Sequence, residues 1–315
     1  MVLPMQFNEL ERVTLSSRPL HLAIGIFDGV HLGHRVVIEA AVQSARRSGG
    51  QAAVLTFDPH PSALIRPEQA TLLMMPATAK AIMLGRLGVE TMITQPFTWE
   101  FARIAAEEFL PWLRQRLPQL AGVYVGENWR FGQGRRGDVA LLVAEGRKMG
   151  VSIFSAPRVN LDGEPISSSR IREALVQADM AAVNALLGYT YFSEGVVEPG
   201  KRLGRTIGFP TLNFAWAPAL RPRYGVYLVK VSGEKSAAGL PAVANYGLRP
   251  TVEQTMEPRL EAHVLGGACP LDTGDAATVE WLRFLREERK FAGVEELRAQ
   301  IARDRDEAAA DFSLR

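Results

Sequence analysis

Two rhythms of apolar and polar positions divide this chain. In the first half, unbroken apolar runs alternate with stretches of helical period. "LHLAIGIF" (20–27), "QAAVLTFD" (51–58), "ETMITQPF" (90–97), "LAGVYVGE" (120–127) and "VSIFSAP" (151–157) read as strands buried on both faces. Between them "GHRVVIEAAVQSARRSG" (33–49), "TAKAIMLGRLG" (78–88) and "DVALLVAEGRKMG" (138–150) read as helices, the first stopping at Gly49–Gly50. "PHP" (59–61) reads as a turn, and "WEFARIAAEEFLPWLRQRLP" (99–118) as one long helix broken near Pro111. Strand–helix alternation at this spacing predicts right-handed crossovers and a doubly wound parallel sheet.

After about residue 186 the period changes to two, with glycine punctuation. "YFSEGVVEPG", "GRTIGFPTLNF", "YGVYLVKVSG", "PAVANYG", "RLEAHVL" and "TVEWLRFL" predict an antiparallel β-barrel, and "GVEELRAQIARDRDEAAADF" (293–312) predicts a closing amphipathic helix. The expectation is an α/β chain of two domains, 1–186 and 187–315.

Composition changes this picture little. A net charge of +2 over 315 residues argues against a general nucleic-acid binder. The single cysteine, Cys269, excludes an internal disulfide and any multi-cysteine metal site, which fits a cytoplasmic protein. No apolar run reaches the roughly 20 residues of a membrane span, and the start of the chain lacks the pattern of a secretory signal.

The chemistry concentrates in a few stretches. "GIFDGVHLGH" (25–34) joins a strand to a helix start, where backbone N–H groups and a partial positive charge suit phosphate. His31 and His34, at i and i+3, share a face of the first turn, and Gly33 leaves room for close approach. "ISSSRIREAL" (166–175) puts hydroxyls and Arg172 at a second helix start, where Ser169 suits a cap. Hydroxyls with a guanidinium also suit a β,γ-phosphate clamp. Histidines at a helix start, or a serine cap, are each also found with no function. In "PTLN" (210–213), Thr211 and Asn213 offer hard oxygens for Mg²⁺ on one side of an extended segment, although an ordinary turn reads the same way. Gly200, Gly204 and Gly208 with Lys201 and Arg205 add the backbone access and charge of a phosphate loop.

Taken in order, "GIFDGVHLGH", "TFDPHP", "VGENWRFGQGRRGD" (125–138), "ISSSRIR", "GKRLGRTIGFPTLNF" (200–214), "AVANYGLRPTVE", "LEAHVL", "LREERKF" and "QIARD" resemble the prokaryotic bifunctional riboflavin kinase/FAD synthetase family over about residues 20–310. The resemblance implies an N-terminal module that transfers AMP from ATP to FMN, giving FAD and pyrophosphate. It implies a C-terminal module that phosphorylates riboflavin with ATP and Mg²⁺. In the first module it assigns His31 and His34 to the α-phosphate, Gly25, Phe27, Asp28, Gly33, Asn128, Ser168, Ser169 and Arg172 to ATP, and Trp129 and Phe131 to the flavin. In the second it assigns Gly200, Lys201, Gly204, Arg205 and Gly208 to ATP, Thr211 and Asn213 to ATP and Mg²⁺, and Glu261 to general-base catalysis. Riboflavin, FMN and ATP are the implied partners. One departure stands out: "GGACPLDTGD" (266–275) keeps Leu271 but lacks the Tyr-Gly that relatives carry after their E-x-H strand. The alternative it raises is an FMN adenylyltransferase whose kinase-like domain binds flavin without turning it over.

Overall fold

The computed structural model describes residues 3–200, 208–250, 256–266 and 269–313. By internal contacts the chain falls into two compact units, Met1–Ser168 and Ser169–Arg315.

The first unit is built on a parallel sheet of strands β1 (Met5–Asn8), β2 (Leu20–Ile24), β3 (Gln51–Phe57), β4 (Thr91–Gln95), β5 (Leu120–Gly126) and β6 (Ser152–Ala156). Their spatial order is β1-β4-β3-β2-β5-β6, every pair parallel. β2 and β3 are buried along their whole length, as their unbroken apolar runs require. Helix α1 (Leu32–Ser48) packs across β2, β3 and β5 and ends at Gly49, whose φ of 64° is the left-handed cap that glycine supplies. Helices α2 (Pro61–Ile65), α3 (Ala77–Arg86), α4 (Trp99–Ala102), α5 (Ala106–Arg116) and α6 (Val139–Met149) complete the layers, with a short hairpin β7 (Asn160–Leu161)/β8 (Glu164–Pro165). Leu20, Leu22 and Ile24 join Phe109, Leu110 and Leu113 of α5 and Leu142 of α6 in one core.

The chain departs from the sequence expectation at three places in this unit. β1 carries no apolar run and was not foreseen; β4 templates it in register at the sheet's edge. Pro111 sits inside α5, and the break in the long helix falls earlier, at Ile104–Ala105. There the Ile104 carbonyl accepts the Gln133 N–H at 2.7 Å, and Gly132 lies so close to Ala106 that a Cβ would stand 2.5 Å from its Cα. A distant loop therefore sets the break. The "PHP" turn continues directly into α2, with the His60 ring accepting from the Ser62 N–H.

The second unit holds a closed antiparallel barrel of β9 (Phe192–Glu198), β10 (Leu212–Ala215), β11 (Gly225–Gly233), β12 (Ser236–Pro250), β13 (Met256–Val264) and β14 (Ala276–Arg286), in the order β10-β13-β12-β11-β14-β9. Trp281, Tyr227, Tyr246 and Phe214 fill its core, and the Trp281 indole donates to Ser193 Oγ at 3.1 Å. Helices α7 (Ser168–Gln177) and α8 (Met180–Leu187) precede it, and α9 (Val294–Ser313) lies against β12. Asn184 of α8 donates to the Trp281 carbonyl at 3.0 Å and accepts the Tyr191 N–H at 2.8 Å. These bonds join α8 to the barrel, and by internal contacts it falls in the second unit. A guanidinium–carboxylate fork between Arg286 and Asp304, at 2.6 and 2.9 Å, ties α9 to β14.

Candidate active sites

In the first unit, the connections from β2 run to β3 and β4 on one side, while β5 and β6 lie on the other. The strand order reverses between β2 and β5, and the loops leaving their C-terminal ends flank the crevice where open α/β sheets take ligands. Those loops are 25–31 and 127–138.

The loop after β2 is contorted. Phe27, Gly29 and Val30 have φ values of 50°, 83° and 38°. For Phe27 and Val30 that conformation costs on the order of 1–2 kcal/mol each, so the surroundings must impose it. The Ile26 carbonyl accepts from Lys80 Nζ at 2.8 Å and from Thr56 Oγ1 at 2.9 Å. The Asp28 carboxylate, 1% exposed, accepts the Met74 N–H at 3.0 Å, and its carbonyl accepts from Ser168 Oγ at 3.3 Å. His31 caps α1, its Nδ1 accepting the His34 N–H at 3.3 Å. With Nδ1 an acceptor, the neutral ring carries its proton on Nε2, as a donor. The two imidazoles stack at 3.5 Å between centroids, and the Phe27 ring stands edge-on to His34 at 5.3 Å. A Cβ on Gly33 would lie 3.2 Å from His31 Cε1, and one on Gly25 would lie 2.9 Å from Phe27 Cζ. Both glycines therefore make room for the rings of this cluster.

On the other side of the crevice, Asn128 is exposed just past the end of β5. Trp129 and Phe131 stack at 4.7 Å. Phe131 is only 6% exposed, packed on Phe109 and against Gly137, so its ring is spent on the core. It backs Trp129, whose ring is the more exposed of the stacked pair. Ser168 begins α7, which puts Ser169 inside the first turn and not at the cap expected for it. By contacts Ser169 and Arg172 fall in the second unit. Lys80 and Thr56 were missed by the sequence reading, because nothing local distinguishes them from ordinary helix and strand positions.

In the second unit, a cavity of about 240 Å³ opens between the barrel and α9, lined on the polar side by Thr211, Asn245, Glu261, His263, Arg286 and Glu288. Glu261 stands in register between Asn213 of β10 and Asn245 of β12. Its strand alternates as expected: Leu260 and Ala262 are buried, and Glu261 and His263 face the cavity. His263 Nδ1 is 2.8 Å from the Pro210 carbonyl, to which it donates. Asn213 Nδ2 donates to the Thr211 carbonyl at 3.2 Å, which leaves Oδ1 as the amide's acceptor. Gly200 lies against that amide, and a Cβ there would stand 2.3 Å from Nδ2. Gly208, at φ 87°, opens the turn into β10. Lys201, Gly204 and Arg205 lie outside the described residues. Glu288, bonded through Oε1 to Asn245 Nδ2 at 2.9 Å, is a second carboxylate that the sequence reading did not single out. In the departing segment, Leu271 is buried and Asp272–Asp275 close a tight turn held by Lys235; none of its described residues lines the cavity.

The family model for FAD synthetase matches residues 14–170, and the model for riboflavin kinase matches residues 187–312. The bifunctional riboflavin kinase/FMN adenylyltransferase of Escherichia coli K12 is 37% identical over 295 residues, 93% of each chain. Those of Listeria monocytogenes and Bacillus subtilis are 35% and 34% identical, with 93% of this chain and 92% of each relative covered. The chain belongs to the bifunctional riboflavin kinase/FMN adenylyltransferase family. A crystal structure described as a macrolide-efflux protein from Streptococcus pneumoniae superposes with a TM-score of 0.84 at 26% identity, covering 97% of this chain and 98% of that one. That label concerns the streptococcal protein; its likeness here is one of fold. As a member of the family the chain is a transferase with both modules, and nothing supports the reading of its kinase-like domain as degenerate. Among the described residues no helix is long and apolar enough to cross a membrane.

Proposed function

We propose that the two sites act in succession on one flavin, riboflavin being phosphorylated at the barrel and the resulting FMN adenylylated at the histidine loop. The observation that carries the first step is the placement of Glu261 in the lining of the cavity, in register with Asn213 and Asn245. Glu261 takes the proton of the ribityl hydroxyl as its oxygen attacks the γ-phosphorus of ATP; ADP leaves. Mg²⁺ fits here as an ion carried mainly by the nucleotide, since Thr211 Oγ1 and Asn213 Oδ1 are hard neutral oxygens and cover only part of an octahedron. Bound there, it would neutralise charge on the phosphates. Gly200 and Gly208 allow the backbone approach that a phosphate needs, and the sequence adds Lys201, Gly204 and Arg205 to that loop.

In the second step an FMN phosphate oxygen attacks the α-phosphorus of ATP and pyrophosphate leaves. No protein nucleophile is required. His31 and His34 donate to the α-phosphate as its charge develops. Gly25, Phe27, Asp28 and Gly33 shape the nucleotide pocket. Ser168, Ser169 and Arg172 hold the departing phosphates, Asn128 offers a polar contact, and Trp129 offers the flavin a face. The lone cysteine supports a reducing, cytoplasmic setting. The family and structural boundaries leave α8 as the element to assign, and its bonds to the barrel support a kinase domain that includes it.

The test is direct. Purified chain given riboflavin, ATP and Mg²⁺ accumulates FMN and then FAD when products are resolved over time. FAD from supplied FMN with no FMN from riboflavin would overturn the kinase assignment.

A further inference from the structure

Lys80 of α3 is 5% exposed. Its ammonium donates to the Ile26 carbonyl at 2.8 Å and to Thr56 Oγ1 at 3.2 Å, and the Thr56 hydroxyl donates to the same carbonyl at 2.9 Å. Burial pushes the lysine's pKa down, a shift that the charges of Asp28 and Asp58 oppose. A lysine this deep is costly to the fold, and a norleucine-like side chain of the same reach would pack there without a charge to desolvate. What the ammonium adds is a grip on one peptide group, the one immediately before the Phe27–Val30 turn.

We propose that Lys80 is a positioning residue for adenylyl transfer: by clamping the Ile26 carbonyl it fixes the turn that presents Phe27 and the stacked His31–His34 pair. The linkage is short. Ile26 precedes Phe27, whose left-handed backbone turns its ring edge-on to His34, and His34 in turn stacks on His31. With the clamp removed, the Ile26 carbonyl keeps Thr56 alone, and the turn with its two non-glycine residues at positive φ loses one of the contacts that hold it. The inference rests on residues 25–34 being the adenylyl-transfer loop.

The test uses the full-length chain with Lys80→Met, which fills similar volume without a donor, and Thr56→Val, which removes the second donor at nearly the same shape. Lys80→Met should lower kcat for FMN to FAD by about 10–100-fold, the penalty of slight misplacement. KM for ATP and FMN should change little, and riboflavin phosphorylation should stay at the wild-type rate. The chain has five histidines, so their ring C–H resonances are separable by NMR. Those of His31 and His34, set by their mutual stacking, should move in Lys80→Met while that of His263 stays. Thr56→Val should show the same changes at smaller size, and it decides the matter if Lys80→Met does not fold. A folded variant with a lower melting temperature but unchanged kcat and unchanged His31 and His34 resonances would overturn the proposal. His31→Ala separates the two readings. If it keeps full FAD synthesis, the loop assignment itself has failed. If it loses FAD synthesis while Lys80→Met does not, only the role of Lys80 has failed.

Discussion

The imidazoles of His31 and His34 lie face to face, 3.5 Å apart and 18° from parallel, with His31 Nδ1 accepting the backbone N–H of His34. Each ring is thus part of the other's support. His31→Ala removes a donor and the stacking surface together, so FAD formation should fall by about 10²-fold or more, with riboflavin phosphorylation near wild type. The double variant His31→Ala/His34→Ala should be little worse than either single one, since contacting residues are not additive. Rates of FAD formation that multiply independently would show that the rings act separately.

Glu261→Gln keeps the shape and most hydrogen bonding of the side chain but cannot take a proton. Turnover of riboflavin should drop by about 10²–10⁴-fold, with ATP affinity little changed because Thr211 and Asn213 remain. FAD synthesis from added FMN should continue. Full turnover in this variant would move the base elsewhere, and Glu288, in the same cavity, would be the next carboxylate to replace.

Helix α8 buries Met180, Val183, Leu186 and Leu187, and its Asn184 bridges Tyr191 and Trp281. Each such apolar side chain contributes roughly 1.5–3 kcal/mol, a large share of the 5–15 kcal/mol of a typical domain, order of magnitude. A barrel fragment starting at residue 169 should therefore resist urea distinctly better than one starting at residue 189. Equal midpoints would return the helix to the first module.

His21, on β2, is held between Tyr124 OH and Ser48 Oγ, both at 2.8 Å. Burial, and secondarily the charge of Arg47, hold its pKa below the ordinary histidine value. The unfolded chain then takes up a proton that the folded chain refuses. Stability is full above about pH 6.5, the ordinary value, and is lost as the pH falls below it toward the folded-state value. His21→Asn should be less stable at pH 7.5 yet lose less than the wild type between pH 7 and 5. Parallel urea-denaturation curves at those pH values for the two proteins would contradict this.

Much of the fold is legible in the sequence, because buried parallel strands announce themselves as apolar runs and a barrel as alternation with turns. β1 escaped because its four residues, "MQFN", owe their conformation to β4 and not to their own pattern. The break at Ile104–Ala105 escaped because a glycine loop some thirty residues away makes it, while Pro111, the obvious local signal, is accommodated inside a helix. The histidine loop was readable since glycines and histidines are uncommon at such spacing. Lys80 was not: on paper it is one polar position in an amphipathic helix, and its burial is decided by a carbonyl 54 positions earlier. Phe131 shows the converse, an aromatic residue that looks available in sequence and is occupied by Phe109 and Gly137 in space.

The closed ring of the barrel gives every one of its strands two neighbours, while the parallel sheet ends at β1 and β6 with one neighbour each. An outermost strand presents a row of backbone donors and acceptors that another chain can extend. β1 is only four residues long and follows Pro4, which blunts one border; β6 leaves Phe154 39% exposed on the other. Extension by strand addition thus has outermost strands to work on in the parallel sheet, while among the described residues the closed barrel presents none.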